Sequence, residues 1–268
     1  MFFFSSTKES SLHQAVLNHD LEAIRILSAD KNLRDLKNGL GFTALELARY
    51  LGQKDSQRIL DPSAKWFINV APKGSDVPFR INEYQFKDQF GVEFRPYLNF
   101  GSYPFFKEVL TNCPWILKKS FLGEENREQA WKYRHELHNG YKANMSIKWI
   151  NEEMGYGAFT NFALETGEYV GEFTGAVRRL YRRSPDQNEY CFHYPTRWFS
   201  RKYVIIDAMN EGNETRFINH SDTPNLQPLC LCAGNLLHIV FIAKHPIEPD
   251  AELTYDYGKA FWKKRQKF

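Results

Sequence analysis

The strongest constraint on this chain is a repeat near its start. Within residues 10–62, apolar residues recur at an offset of 33: Leu12 with Leu45, Ala15 with Ala48, Ile26 with Ile59, Leu27 with Leu60. A fixed period of this size belongs to stacked helical units. Ser11-Leu12-His13-Gln14-Ala15 reads as the start of one helix, and 21–27 as a second that turns back on it. Asn38-Gly39-Leu40-Gly41 reads as a turn, and Phe42-Thr43-Ala44-Leu45 as the start of the next unit. Each helix pair is too small to bury its apolar face alone, and about three units normally make a stable stack. The two units are therefore expected to lean on the domain C-terminal to them. Asp61-Pro62-Ser63 ends the helical pattern, because Pro cannot continue it.

The period and these words resemble the ankyrin repeat. The resemblance implies helical hairpins that either offer a surface to a protein partner or serve as a structural cap.

The chain has 268 residues, room for one large domain or two smaller ones. Its 43% hydrophobic and 25% charged residues are ordinary for a globular protein able to bury a full core. A net charge of +3 does not point to nucleic-acid binding, which calls for a basic stripe. The basic run Lys263-Lys264-Arg265 reads as a solvated end. Cys113, Cys191, Cys230 and Cys232 contain no C-x-x-C pair, so no structural zinc site and a reducing compartment are expected. Met1-Phe2-Phe3-Phe4-Ser5 lacks a basic segment and is too short an apolar run for a signal peptide. No apolar run approaches the ~18 residues of a spanning helix, so a soluble, intracellular protein with no membrane contact is expected.

Residues 63–143 are dense in aromatics but carry no chemical motif. A loop is expected over 71–76, a short strand over 90–94 and one helix over 124–138. From Ala143 the pattern changes to short apolar runs separated by turn residues. Strands are expected over 147–150, 169–173, 190–194, 203–206 and 236–242. Over 190–194, alternation sets Tyr190 and Phe192 on one face.

Two long words stand out in this second half: Arg216-Phe217-Ile218-Asn219-His220-Ser221, continued by Asp222-Thr223-Pro224-Asn225, and Glu252-Leu253-Thr254-Tyr255-Asp256-Tyr257-Gly258. Met154-Gly155-Tyr156-Gly157-Ala158-Phe159, Tyr169-Val170-Gly171-Glu172-Phe173 and Tyr190-Cys191-Phe192 precede them in order. Together they resemble the motifs of SET-domain lysine methyltransferases over roughly 144–262. The resemblance implies an α+β chain: helical ankyrin-like repeats (10–62), a buttressing region (63–143), then a mostly β SET domain (144–262) of short strands with a knot-like motif. It implies S-adenosylmethionine as cofactor, bordered by Met154, Gly155, Tyr156, Gly157, Tyr190, Arg216, Asn219, His220, Tyr257 and Phe261. Trp262 is the alternate to Phe261 as the residue stacking on adenine. Tyr257, Tyr255, Phe173 and Phe192 are implied to line the lysine channel, with Tyr257 central and His220 an anchor, not a base. No metal is needed, because the methyl donor is already activated. A free lysine titrates near ~10.4, and a dry aromatic channel lowers that value.

The chain departs from the family at four places, one of them Tyr156, where Trp is usual. Phe173 stands where the family usually has Tyr, Asp222 where it often has a zinc-binding Cys, and Asp250-Ala251 where Gly-Glu is typical. Cysteine-rich flanks are missing on both sides. This compact form resembles SET proteins of bacteria that live inside eukaryotic cells, some of them secreted to act on host chromatin in the nucleus. Tyr255 points to fewer methyl groups and Phe173 to a wider channel; between the two, mono- or dimethylation is expected. Glu152, Glu153, Asp186, Glu189, Glu211 and Glu214 gather around the motifs and suit a lysine-rich substrate such as a histone tail. The rival reading is a SET-fold ankyrin interaction protein that no longer turns over.

Overall fold

The computed structural model describes residues 8–75, 77–118, 122–181, 188–195 and 202–262. The sequence expectations on 1–5, Asp186 and 263–265 lie outside them.

Five short helices come first: α1 (Ser11–Leu17), α2 (Leu21–Leu27), α3 (Lys31–Asp35), α4 (Ala44–Tyr50) and α5 (Lys54–Leu60). The caps explain where they begin. Ser10 and Thr43 each close a capping box, with His13 and Glu46, and Asp20 accepts from the Ala23 N–H. These side chains satisfy amides that a helix start leaves open. The starts of α1 and α4, and those of α2 and α5, keep the 33-residue offset. His13 ties the two pairs together. Its Nδ1 accepts from the Ser10 side chain, so Nε2 carries the proton and donates to the Phe42 carbonyl at 2.9 Å.

The middle of the chain holds β1 (Phe67–Ala71), β2 (Phe79–Asn82), α6 (Glu83–Phe90), β3 (Glu93–Phe94), α7 (Tyr103–Asn112), α8 (Pro114–Leu117), α9 (Glu124–Lys132) and α10 (Arg134–Asn139). Two expectations fail here. The segment 90–94 is no continuous strand, because Asn82 caps a helix over 83–90 and Gly91 ends it with φ 66°. The helix expected over 124–138 breaks at Tyr133 (φ −98°, ψ 14°), whose hydroxyl donates to the Gly167 carbonyl at 2.6 Å.

The remaining strands are β4 (Met145–Asn151), β5 (Gly155–Thr160), β6 (Tyr169–Glu172), β7 (Ala176–Tyr181), β8 (Cys191–Tyr194), β9 (Lys202–Asp207), β10 (Glu211–Gly212), β11 (Asn219–His220), β12 (Leu226–Ala233), β13 (Leu236–Ala243) and β14 (Thr254–Tyr255). A short helix, α11 (Lys259–Trp262), comes after them. The strands form small sheets, ordered β2-β1-β4-β5, β12-β13-β6 and β7-β9-β8, plus the two-stranded pairs β10-β3 and β11-β14. Every residue of β13 is buried, as expected of a strand covered on both faces.

Two aromatic chains join the parts. Phe42 touches Phe106 (5.1 Å between ring centres), Phe106 touches Phe100 (4.9 Å), and Phe100 reaches Tyr194 on β8 (6.2 Å). The first helices thus share a core with the C-terminal strands through α7. Phe86 and Phe90 of α6 form the second chain: Phe90 lies 4.9 Å from Phe217 and 5.2 Å from Tyr156. The middle segment therefore packs directly against two of the motif words. Among the described residues no helix is long and apolar enough to cross a membrane.

Candidate active site

The two longest motif words meet. β11 and β14 pair in parallel, Asn219 opposite Thr254 and His220 opposite Tyr255. The 252–255 segment also binds β5: the Leu253 N–H donates to the Ala158 carbonyl at 2.8 Å, and Glu252 bridges Phe159. The end of the chain is thus wedged between β5 and β11. Asparagines hold the wedge. Asn219 Nδ2 donates to Glu252 Oε1 (2.9 Å) and reaches the Tyr156 carbonyl (3.4 Å). Asn225 donates to the Glu252 carbonyl (2.7 Å) and accepts from the Thr254 N–H (2.8 Å). So Asn219 commits its amide to the Glu252 side chain and the Tyr156 carbonyl.

His220 has an anchoring role. Its Nδ1 accepts from the Tyr257 N–H at 3.2 Å, which places the ring proton on Nε2. That Nε2 is buried and makes no hydrogen bond; Asp222 Oδ1, at 3.4 Å, lies outside hydrogen-bond geometry. The buried Trp262 Nε1, whose ring sits 4.8 Å from His220, also lacks a partner. Two buried N–H donors beside Tyr257 are an unmet demand for acceptor atoms.

On β5, Gly155 has φ +71° and open space where a Cβ would stand. At Gly157 a Cβ would lie 2.6 Å from Ile150 Cδ1 and 2.9 Å from Glu252 Oε1. The Tyr156 ring points into the Phe90–Trp149–Phe217 cluster, so only its backbone is turned to Asn219. Met154 is exposed in the turn before β5. Tyr190 stands just before β8, where the Arg216 guanidinium covers its ring at 4.2 Å and donates through Nε to the Ala208 carbonyl at 2.9 Å. Phe261 packs edge-on against Tyr257 at 4.7 Å.

The four residues expected to line a channel come together. Phe173 lies 4.7 Å from Phe192, Phe192 5.4 Å from Tyr255, and Tyr255 4.6 Å from Tyr257. Phe241 of β13 completes the wall, 4.9 Å from Tyr255 and 6.0 Å from Phe192. Phe241 escapes sequence reasoning because it is one apolar letter in an unbroken apolar run. The Tyr257 hydroxyl donates to the Ile218 carbonyl at 3.0 Å. Burial raises the pKa of Tyr257, and the charges of Tyr190, Glu189 and Glu252 add to the rise. Burial raises Tyr255 as well. Both are neutral phenols near pH 7.

The acidic gathering expected around the motifs is partly corrected. Glu214 is fully buried against Lys142 and Glu211 binds Arg95 at 2.7 Å and Asn99, whereas Glu152, paired with Lys73, stays exposed. A buried carboxylate with a partner on its own chain is not available to a basic tail. Glu153 and Glu189 are exposed.

Residues 155–258 match the SET domain family. Histone-lysine N-methyltransferase Set8 of Drosophila melanogaster is 38% identical over 94 residues, covering 34% of this chain and 14% of that protein. Histone-lysine N-methyltransferase ash1 of Drosophila melanogaster is 29% identical over 156 residues, covering 55% of this chain and 6% of that protein. The solved structure of KRYPTONITE in complex with mCHH DNA, H3(1-15) peptide and SAH shares 34% identity, covering 44% of this chain and 24% of that one with a TM-score of 0.36. The chain thus spans only a small part of the length of the curated relatives it matches.

Proposed function

We propose, from the premise that residues 155–258 form a SET domain, that this chain is an S-adenosylmethionine-dependent protein-lysine N-methyltransferase. The observation that carries the reading is the aromatic wall of Phe173, Phe192, Phe241, Tyr255 and Tyr257, set directly against the β11–β14 pair.

S-adenosylmethionine, when bound, supplies a methyl group already activated on a sulfonium. The residues present fit it: the ring N–H groups of His220 and Trp262 lack acceptors, and Gly155 leaves open space beside the backbone at the start of β5. Tyr190, with Arg216 behind it, and Phe261 are the remaining holders. The aromatic wall strips water from an incoming lysine. Desolvation disfavours its charged form and so lowers its pKa from ~10.4. Tyr257 keeps its own proton, fixed on the Ile218 carbonyl, and works by holding the amine in line. It is not a general base, since burial moves its pKa away from neutrality.

The finer reading is a histone tail as substrate, mono- or dimethylated, with the paired helices α1–α2 and α4–α5 as two ankyrin-like units offering a partner surface. The retained helix offset of 33 supports the ankyrin part. Action on host chromatin after secretion rests on the family resemblance alone.

A methyl-transfer assay with labelled S-adenosylmethionine on a panel of core histones tests the proposal, with Tyr257→Phe beside the wild type. Signal on one histone, reduced about a hundredfold in the variant, supports it. Cofactor binding without transfer points to a non-histone substrate. Neither binding nor transfer supports the interaction-protein reading.

A further inference from the structure

A second cavity, of about 360 Å³, lies among α9, α10 and the loop leading into β6. That size suits a small ligand group. Three tyrosines, Tyr133, Tyr141 and Tyr169, wall it, with Tyr169 5.5 Å from Tyr133 and 6.2 Å from Tyr141 between ring centres. Glu136, Glu165 and Glu168 also line it, together with Lys132, Thr166 and Gly167. Aromatic faces and carboxylates together attract cations.

Two further observations point to a ligand. Tyr169 is 4% exposed, yet its hydroxyl has no hydrogen-bond partner, and Glu136 Oε2 is also buried and unpartnered. Such atoms are costly unless something donates to them. The chain itself also samples the right chemistry there. Lys132 lays its ammonium 4.8 Å from the Tyr133 ring centre while donating to the Gly167 carbonyl at 3.0 Å.

The cavity is separate from the aromatic channel. Tyr169 packs with Val240 and Ile242 on one face of β13, whereas Phe173 packs with Phe241 on the other. A register shift in the β13–β6 pairing between Phe241 and Ile242 accommodates this change of face.

We propose that this cavity is a second cation site, taking the mono- or dimethylated ammonium of a lysine presented by a protein tail. The methyl groups suit the tyrosine faces, because a methylated ammonium is less strongly hydrated. The remaining N–H is what Tyr169 Oη and Glu136 Oε2 lack. A trimethylated lysine has no N–H to give, and an unmodified one loses more hydration. Naming a methylated lysine as the occupant rests on the proposed lysine methyl transfer; the cation site itself does not.

Isothermal titration of the full chain tests this with one lysine peptide in four forms, unmodified and mono-, di- and trimethylated, and with dimethylammonium chloride alone. The expected result is preferred binding of the mono- and dimethylated forms, with the other two about tenfold weaker. Tyr141→Ala, at an exposed ring, should weaken binding about tenfold; Glu136→Gln should weaken it too, and Lys132→Ala should tighten it by removing the internal competitor. Equal or better binding of the trimethylated or unmodified peptide overturns the proposal, as does indifference to Tyr141→Ala. Dimethylammonium binding as tightly as the peptide overturns the protein-tail source in favour of a small amine. Methyl transfer is assayed on the same preparations. Peptide binding without transfer leaves the cation site standing on its own; transfer without peptide binding overturns the site and leaves the enzyme reading intact.

Discussion

Gly155 and Gly157 are two residues apart and should fail differently. Gly155→Ala meets no atom but must hold φ +71°, a strain of about 1 kcal/mol with little effect on the site. Gly157→Ala pushes against Ile150 and against Glu252, which Asn219 holds in place, so it should spread β5 from the 252–255 segment. We expect S-adenosylmethionine to bind at least about tenfold more weakly to Gly157→Ala and nearly normally to Gly155→Ala, read by titration calorimetry. Tyr255→Phe removes a hydroxyl from the channel wall beside Tyr257, and mass spectrometry should find the product shifted toward more methyl groups. At this scale the sequence is informative where residues that meet in space lie in contiguous words, as for Asn219, His220 and Tyr257. It is silent on Phe241, whose place in the wall exists only once β13 packs against Phe192 and Tyr255. It also misleads at Glu211 and Glu214, whose partners Arg95 and Lys142 lie far away in sequence.

Among elements, the N-terminal helices are legible because Ser10, Asp20 and Thr43 mark their starts and the repeat marks their faces. α6 and α7 are not, because aromatic density over 63–143 hides their periodicity. The joint between α5, α6 and β3 is a charge cluster. Lys54 contacts Glu93, Lys87 reaches it at 3.0 Å, and Glu83 binds both Lys54 (3.2 Å) and Arg58 (2.9 Å). Burial pushes the Glu93 pKa up, but Lys54 and Lys87 together outweigh it and hold the carboxyl down at about 2. A carboxylate with a depressed folded-state pKa stabilises the fold above its unfolded value, here 4.5, and loses that contribution as pH falls toward about 2. The contribution near neutrality is on the order of 2 kcal/mol after allowance for solvent screening. The stability of the wild type, followed by circular dichroism, should therefore fall steadily as pH drops from 4.5 toward about 2. Glu93→Gln should be less stable at pH 6 and show a flatter decline between pH 4.5 and 2.5.

Across the whole molecule, the first helices, over residues 8–62, draw part of their burial from the rest of the chain. Phe42 is almost fully buried, and its neighbour Phe106 belongs to α7. Arg49 donates to the His138 carbonyl at 3.0 Å, a further tie to a distant segment. A fragment of residues 1–62 should accordingly show no cooperative transition in urea, whereas the full chain should. In the full chain, Phe106→Ala should cost about 3–5 kcal/mol, because it removes the ring on which Phe42, Tyr50 and Phe100 converge. The parallel pairing of β3 with β10 sets a timetable for synthesis. Arg95 and its partner Glu211 are 116 residues apart, so a ribosome adding about 5–20 residues per second leaves Arg95 waiting roughly 6–23 s. For most of that interval the nascent chain carries Phe100 and the first helices without the C-terminal strands they pack against. The molecule thus spends its most aggregation-prone moments half-synthesised, when a chaperone that shields apolar surface has the most to protect.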